Sequence, residues 1–89
     1  MKIAVAGGFG FLGKHIIVAL KQAGHEVTIF ARREENKYDG VSFVKADLMF
    51  PGEWQSSLAE HDIVINLVGV NLFQIFLILS VPERVQVKL

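Results

Sequence analysis

The stretch Gly7-Gly8-Phe9-Gly10-Phe11-Leu12-Gly13 stands between a short apolar run and a segment of helical periodicity. That order restricts the chain more than any other feature. Ile3-Ala4-Val5-Ala6 has the unbroken apolar character of a central parallel strand buried on both faces. Downstream, Leu12, Ile16, Leu20 and Ala23 recur at helical spacing, with Ala19 beside them, and Gly24 stands where a helix C′ residue belongs. A turn this tight needs glycine for its backbone angles. Anionic phosphates also need a side-chain-free approach to the N–H groups at a helix start. Glycines at 7, 10 and 13 that follow a strand and open a helix therefore predict a pyrophosphate-binding turn. The alternative is a glycine-rich turn with only a structural role.

The remaining periods alternate in the same sense. Glu26-Val27-Thr28-Ile29-Phe30 reads as a β-branched second strand, and the charged stretch from Arg32 to Gly40 ends in the turn signal Asp39-Gly40. Val41-Ser42-Phe43-Val44 reads as a third strand. Pro51-Gly52 introduces a short helix with Trp54 and Leu58 on one side, and Asp62 to Gly69 supplies a fourth strand. This pattern predicts an α/β, Rossmann-like parallel sheet of strand order 3-2-1-4, with helices on both faces and a ligand at the carboxyl ends near the switch between strands 1 and 4. Such a domain ordinarily continues for two more strands, so residues 1–71 read as its truncated N-terminal half. Residues 72–89 are an apolar tail, Leu72 to Leu79 followed by Pro82 and an alternating Val85-Gln86-Val87-Lys88-Leu89. Its periodicity is open to one or two strands, or to a helix and a strand. A four-stranded half-sheet would leave strand four with a bare edge and the apolar Leu72–Leu79 stretch without neighbours, so a homo-oligomer built through the tail is expected.

Of the 89 residues 52% are hydrophobic and the formal net charge is zero, which fits a core-forming globular chain. No basic excess points to nucleic acid or to an anionic membrane surface. The absence of Cys excludes disulfides, thiolate metal sites and a Cys nucleophile, and is compatible with the cytosol. Leu72 to Val81, interrupted by Gln74 and Ser80, is about half the length that spans a bilayer, and the N-terminus enters a strand at once. A soluble, cytoplasmic protein without a membrane span is expected. His15, His25 and His61 lack metal-ligand spacing and are expected in surface or capping roles, with no metal site. Ser56, Ser57, His61 and Asp62 are local neighbours without the context of a nucleophile elbow.

Three further segments bear on a cofactor. Strand two ends Phe30-Ala31-Arg32-Arg33; an acid here would suit the adenosine ribose of NAD, whereas arginine suits the 2′-phosphate of NADP. Glu34 and Glu35 follow closely, so NADP is the first choice and NAD the second. Asp47-Leu48, past strand three, is placed to meet an adenine ring, with the carboxylate accepting from the exocyclic amine, or else to cap a turn leading to Pro51. Asn66-Leu67-Val68-Gly69 ends strand four beside the glycine loop. Gly69 either admits the cofactor closely or simply ends the strand.

Taken together, Gly7-x-x-Gly10-x-x-Gly13, Arg32, Asp47-Leu48 and Asn66-Leu67-Val68-Gly69 resemble the extended short-chain dehydrogenase/reductase family, the NAD(P)-dependent epimerase/dehydratase group, over residues 1 to about 71. The resemblance implies pyrophosphate contact at Gly7, Gly10, Phe11, Leu12 and Gly13, and 2′-phosphate contact at Arg32. It implies adenine contact at Asp47 and Leu48, and the adenosine side of the cofactor at Leu67, Val68 and Gly69. Members of this family act on nucleotide-sugars and other carbonyl or hydroxyl substrates through a Tyr-x-x-x-Lys pair on a later helix. Here the only tyrosine, Tyr38, is followed by Asp39-Gly40-Val41-Ser42, with no lysine at the fourth position. The chain is therefore expected to carry the NAD(P)-binding portion of an epimerase, dehydratase or reductase, with no catalytic residues of its own. The alternative is a non-catalytic nucleotide-binding subunit of the same fold, of the kind associated with respiratory complex I.

Overall fold

The alternation of apolar side chains along each strand decides how this sheet is buried. In the computed structural model, which describes residues 1–7, 9–34, 38–68 and 82–88, the strands are β1 (Lys2–Ala6), β2 (Glu26–Ala31), β3 (Ser42–Lys45), β4 (Ile63–Asn66) and β5 (Gln86–Lys88). They form one sheet in the order β3-β2-β1-β4-β5, with every neighbouring pair parallel. Ala4 of β1 lies opposite Thr28 on one side and Val64 on the other. The helices are α1 (Phe11–Gln22) and α2 (Trp54–Leu58). Because successive strand residues point to opposite faces, Ile3, Val5, Val27 and Ile29 join Ile17 of α1 in one core. Ala4, Ala6, Phe30 and Val64 join Trp54 and Leu58 of α2 in the other. The expected parallel order and the helix on each face are both present.

The face that α1 buries differs from the expected stripe. Gly13 and Ile17 are buried and Leu20 is half-buried, whereas Ala19 and Ala23 are exposed and Leu12 is 63% exposed. The physical reason is the glycine at 13: a residue without a side chain faces the sheet, which lets the helix lie close to it and turns Leu12 outward. Of the expected stripe, Ile16 and Leu20 are half-buried, and Leu12 and Ala23, at its two ends, are exposed.

Strand four is not a bare edge either. β5 pairs along it, with Ile63, Val64 and Ile65 opposite Gln86, Val87 and Lys88. The Arg84 guanidinium reinforces this junction by donating to the carbonyls of Ala59 (2.6 Å) and His61 (3.3 Å), which lie just past the end of α2. One premise of the expected oligomer therefore fails, since chain pairing already satisfies that edge. Its other premise, the Leu72–Leu79 stretch, lies outside the described residues. Of the surface or capping roles expected for the histidines, His61 takes the second. It is buried, its Nδ1–H donates to Ser57 O in the last turn of α2 at 2.9 Å, and its ring packs T-shaped with Phe30, centroids 5.6 Å apart.

No helix among the described residues is long and apolar enough to cross a membrane. Among the same residues no group of three or more His, Cys, Asp or Glu could hold a metal ion.

Candidate functional site

All the strands run in one direction, so the residues that follow β1, β2, β3 and β4 collect at one end of the sheet. Gly7 leaves β1 with a φ of 79°, a left-handed conformation that disfavours any residue with a β-carbon. A β-carbon there would also stand 3.0 Å from Val68 Cγ2. The Gly7 N–H donates to Phe30 O at 2.9 Å, so it is already used within the fold. Gly7 therefore shapes the turn rather than supplying a donor.

Donors come from the helix that follows. Gly10 is the N-cap of α1 in extended conformation, it brings no capping side chain, and the first turn carries no acidic residue. The first intrahelical bond is from Lys14 N–H to Gly10 O. The N–H groups of Phe11, Leu12 and Gly13 thus precede the hydrogen-bond ladder and carry the positive end of the helix dipole. These donors are backbone groups, so an exposed Leu12 side chain and a buried Gly13 are both compatible with the expected pyrophosphate contact. A β-carbon at Gly10 would meet none of the described residues within 4 Å, so among them its glycine leaves open space at the helix start.

A cleft of about 540 Å³ lies over this turn, lined by Gly7, Phe9, Gly10, Ala31, Arg32 and Arg33. A second, of about 340 Å³, shares Gly7, Ala31 and Arg32 with it and adds Phe30, Ala46, Asp47, Leu48, Met49 and Val68. The two together run from the helix start past the arginines to the end of β3. Arg32 and Arg33 are both exposed there, giving the cleft a cationic wall. Asp47 does cap a turn, since its Oδ1 accepts from Met49 N–H at 3.2 Å. Its carboxylate nevertheless stands at the cleft. Leu48 is buried beneath it.

Of the residues expected from the sequence, Gly7, Gly10, Arg32, Asp47, Leu48 and Val68 come together at these clefts. Val68 is fixed by its own N–H, which donates to Oδ1 of the buried Asn66 at 3.0 Å. Leu67 does not join them: its N–H donates to Ala6 O and its side chain packs on the α1 face of the sheet. Phe11 opens α1, and Gly69 lies outside the described residues. Sequence reasoning assigned no role at the cleft to Phe9, Arg33 or Met49. The signal for the first was its place inside the glycine loop, and for the others their adjacency to Arg32 and Leu48.

The sequence model of the NAD dependent epimerase/dehydratase family matches residues 3–74. An isoflavone reductase homolog of Solanum tuberosum is 32% identical over an alignment of 101 positions, covering 98% of this chain and 33% of that protein. The epimerase family protein YfhF of Bacillus subtilis is 35% identical over 74 positions, covering 82% of this chain and 24% of YfhF. Among solved structures, UDP-glucose 4-epimerase of Thermus thermophilus, in complex with NAD, has a TM-score of 0.77. That match is 23% identical over 90% of this chain and 33% of the epimerase, and it speaks for the fold alone. The chain spans 33% and 24% of the lengths of the two curated relatives.

Proposed function

The chain belongs to the NAD dependent epimerase/dehydratase family, and we propose that it forms the dinucleotide-binding portion of an epimerase, dehydratase or reductase, taking NADP in preference to NAD. In this reading residues 1–71 are the first half of a cofactor domain. The cofactor would supply hydride transfer at its nicotinamide; the work of these residues is to bind and orient it. The pyrophosphate lies against the amides of Phe11, Leu12 and Gly13, where the uncapped helix start favours negative charge. Arg32 pairs with the adenosine 2′-phosphate, and the adenine rests against Leu48 with Asp47 accepting from its amine. Val68 closes the opposite wall. With Tyr38 followed by Ser42 rather than by lysine at the fourth position, these residues bind without turnover.

The observation that carries this reading is that Arg32 and the glycine turn line one cleft at the carboxyl ends of the strands. Calorimetric titration with NADPH and NADH tests it. NADPH is expected to bind more tightly. Arg32→Ala should weaken NADPH more than NADH by about 1.5 kcal/mol, the lower end for a charge-assisted bond because the arginine is solvent-exposed. Tighter binding of NADH would overturn the preference, and no binding of either at millimolar concentration would overturn the function.

A further inference from the structure

Phe9 lines the cleft beside Gly10 and Arg32, yet its ring also meets two aromatic residues from outside the glycine loop. Tyr38, in the segment between β2 and β3, lies nearly parallel to it, with centroids 6.3 Å and planes 11° apart. Phe43 of β3 meets it at 6.1 Å, tilted by 43°. All three pack on the core beneath α1. The Tyr38 hydroxyl is buried and has no hydrogen-bond partner among the described residues. The backbone of this residue is held by its carbonyl, which accepts from Val41 N–H, whereas the ring is held by packing, which offsets the cost of that hydroxyl. The result is a bridge of side chains from the glycine turn to the segment that follows Arg32 and Arg33.

We propose that Phe9 and Tyr38 are positioning residues whose stack couples the glycine turn to the arginine-bearing segment, holding the helix-start amides and the guanidinium at one spacing. For its ligand this rests on the cofactor reading above, whereas the coupling is a property of the free protein. A ligand that engages both anchors gains from a preset spacing; a fragment that engages one does not.

Amide hydrogen exchange on the whole chain tests the coupling without ligand. Phe9→Leu should speed exchange of the Val41 N–H, which is bonded to Tyr38 O at 3.2 Å. Tyr38→Leu should speed exchange of the Lys14 N–H, bonded to Gly10 O at 3.0 Å. Each change is about three- to tenfold, and the double variant adds little to either single one. Tyr38→Phe, which keeps the ring, should match the parent. The Asp62 N–H, bonded to Lys2 O at the far end of the sheet, is the reference for global loss of stability and should not move. Exchange that quickens only on the substituted side, or effects that add, would overturn the coupling whatever the chain binds. In the binding arm Phe9→Leu should weaken NADPH about three- to tenfold while leaving adenosine 2′-monophosphate and ADP within about twofold. Equal losses for all three would overturn the spacing role and make Phe9 a plain contact. Cross-coupled exchange in a parent chain that binds no nucleotide would refute the cofactor reading and leave the coupling standing.

Discussion

The two ends of the sheet are built on opposite plans. At the amino end, backbone and side chain close on each other. Lys2 N–H donates to Asp62 Oδ2 at 2.8 Å, Asp62 N–H donates back to Lys2 O at 2.7 Å, and Gln86 N–H donates to Asp62 O at 3.0 Å. One aspartate thus ties the starts of β1, β4 and β5. At the carboxyl end the start of α1 has no capping side chain and no acid in its first turn, and two arginines face the cleft. Helix starts without such partners leave donors for something else to satisfy. One end uses its donors within the fold, and the other leaves helix-start donors beside a cationic wall, which is the end the proposed function assigns to the cofactor.

The largest expected effect breaks function at the open end and spares the fold. Gly10→Val places a side chain where a β-carbon meets none of the described residues within 4 Å. NADPH affinity should fall by about a hundredfold or more as the backbone approach is blocked. Urea denaturation should change by less than about 0.5 kcal/mol, as for other unstrained exposed sites. Unchanged affinity would reduce the loop to a structural turn.

Gly7→Ala should act on stability instead. The left-handed φ and the 3.0 Å approach to Val68 predict a loss of about 2 kcal/mol with an unchanged denaturant slope. Equal stability losses at Gly7 and Gly10 would erase the distinction between shaping the turn and admitting the ligand. Smallest of the three is Asp62→Ala at the closed end. It should cost about 1 kcal/mol of stability for the lost bond from Lys2, with cofactor affinity unchanged in calorimetry. Weakened binding in that variant would mean that the two ends are not separable.

Much of this was legible because local chemistry and global topology agree. The apolar run of β1, the glycine spacing and the β-branched β2 each have one natural place, and strand order follows from parallel connections. The short helix with Trp54 and Leu58 was equally clear, since Pro51-Gly52 marks its approach and both side chains are buried. What escaped the sequence depends on partners rather than periods. The inward turn of Gly13 is invisible to any count of apolar residues. The pairing of Gln86-Val87-Lys88 with β4 depends on tertiary contacts, as does the burial of His61 against Phe30. At the candidate site Asp47 and Arg32 could be named from their strand ends. The aromatic bridge from Phe9 could not, because Tyr38 and Phe43 reach it only through the fold.

Backbone amide chemical-shift mapping with NADPH reads both ends of the sheet in one titration and so decides whether the cofactor binds at the carboxyl end. Saturable shifts are expected at Gly7, Phe9, Gly10, Leu12, Arg32, Asp47 and Val68, with Lys2, Glu26, Asp62 and Gln86 unmoved. Shifts gathered at the amino end, or none at millimolar cofactor, would contradict binding at the carboxyl end.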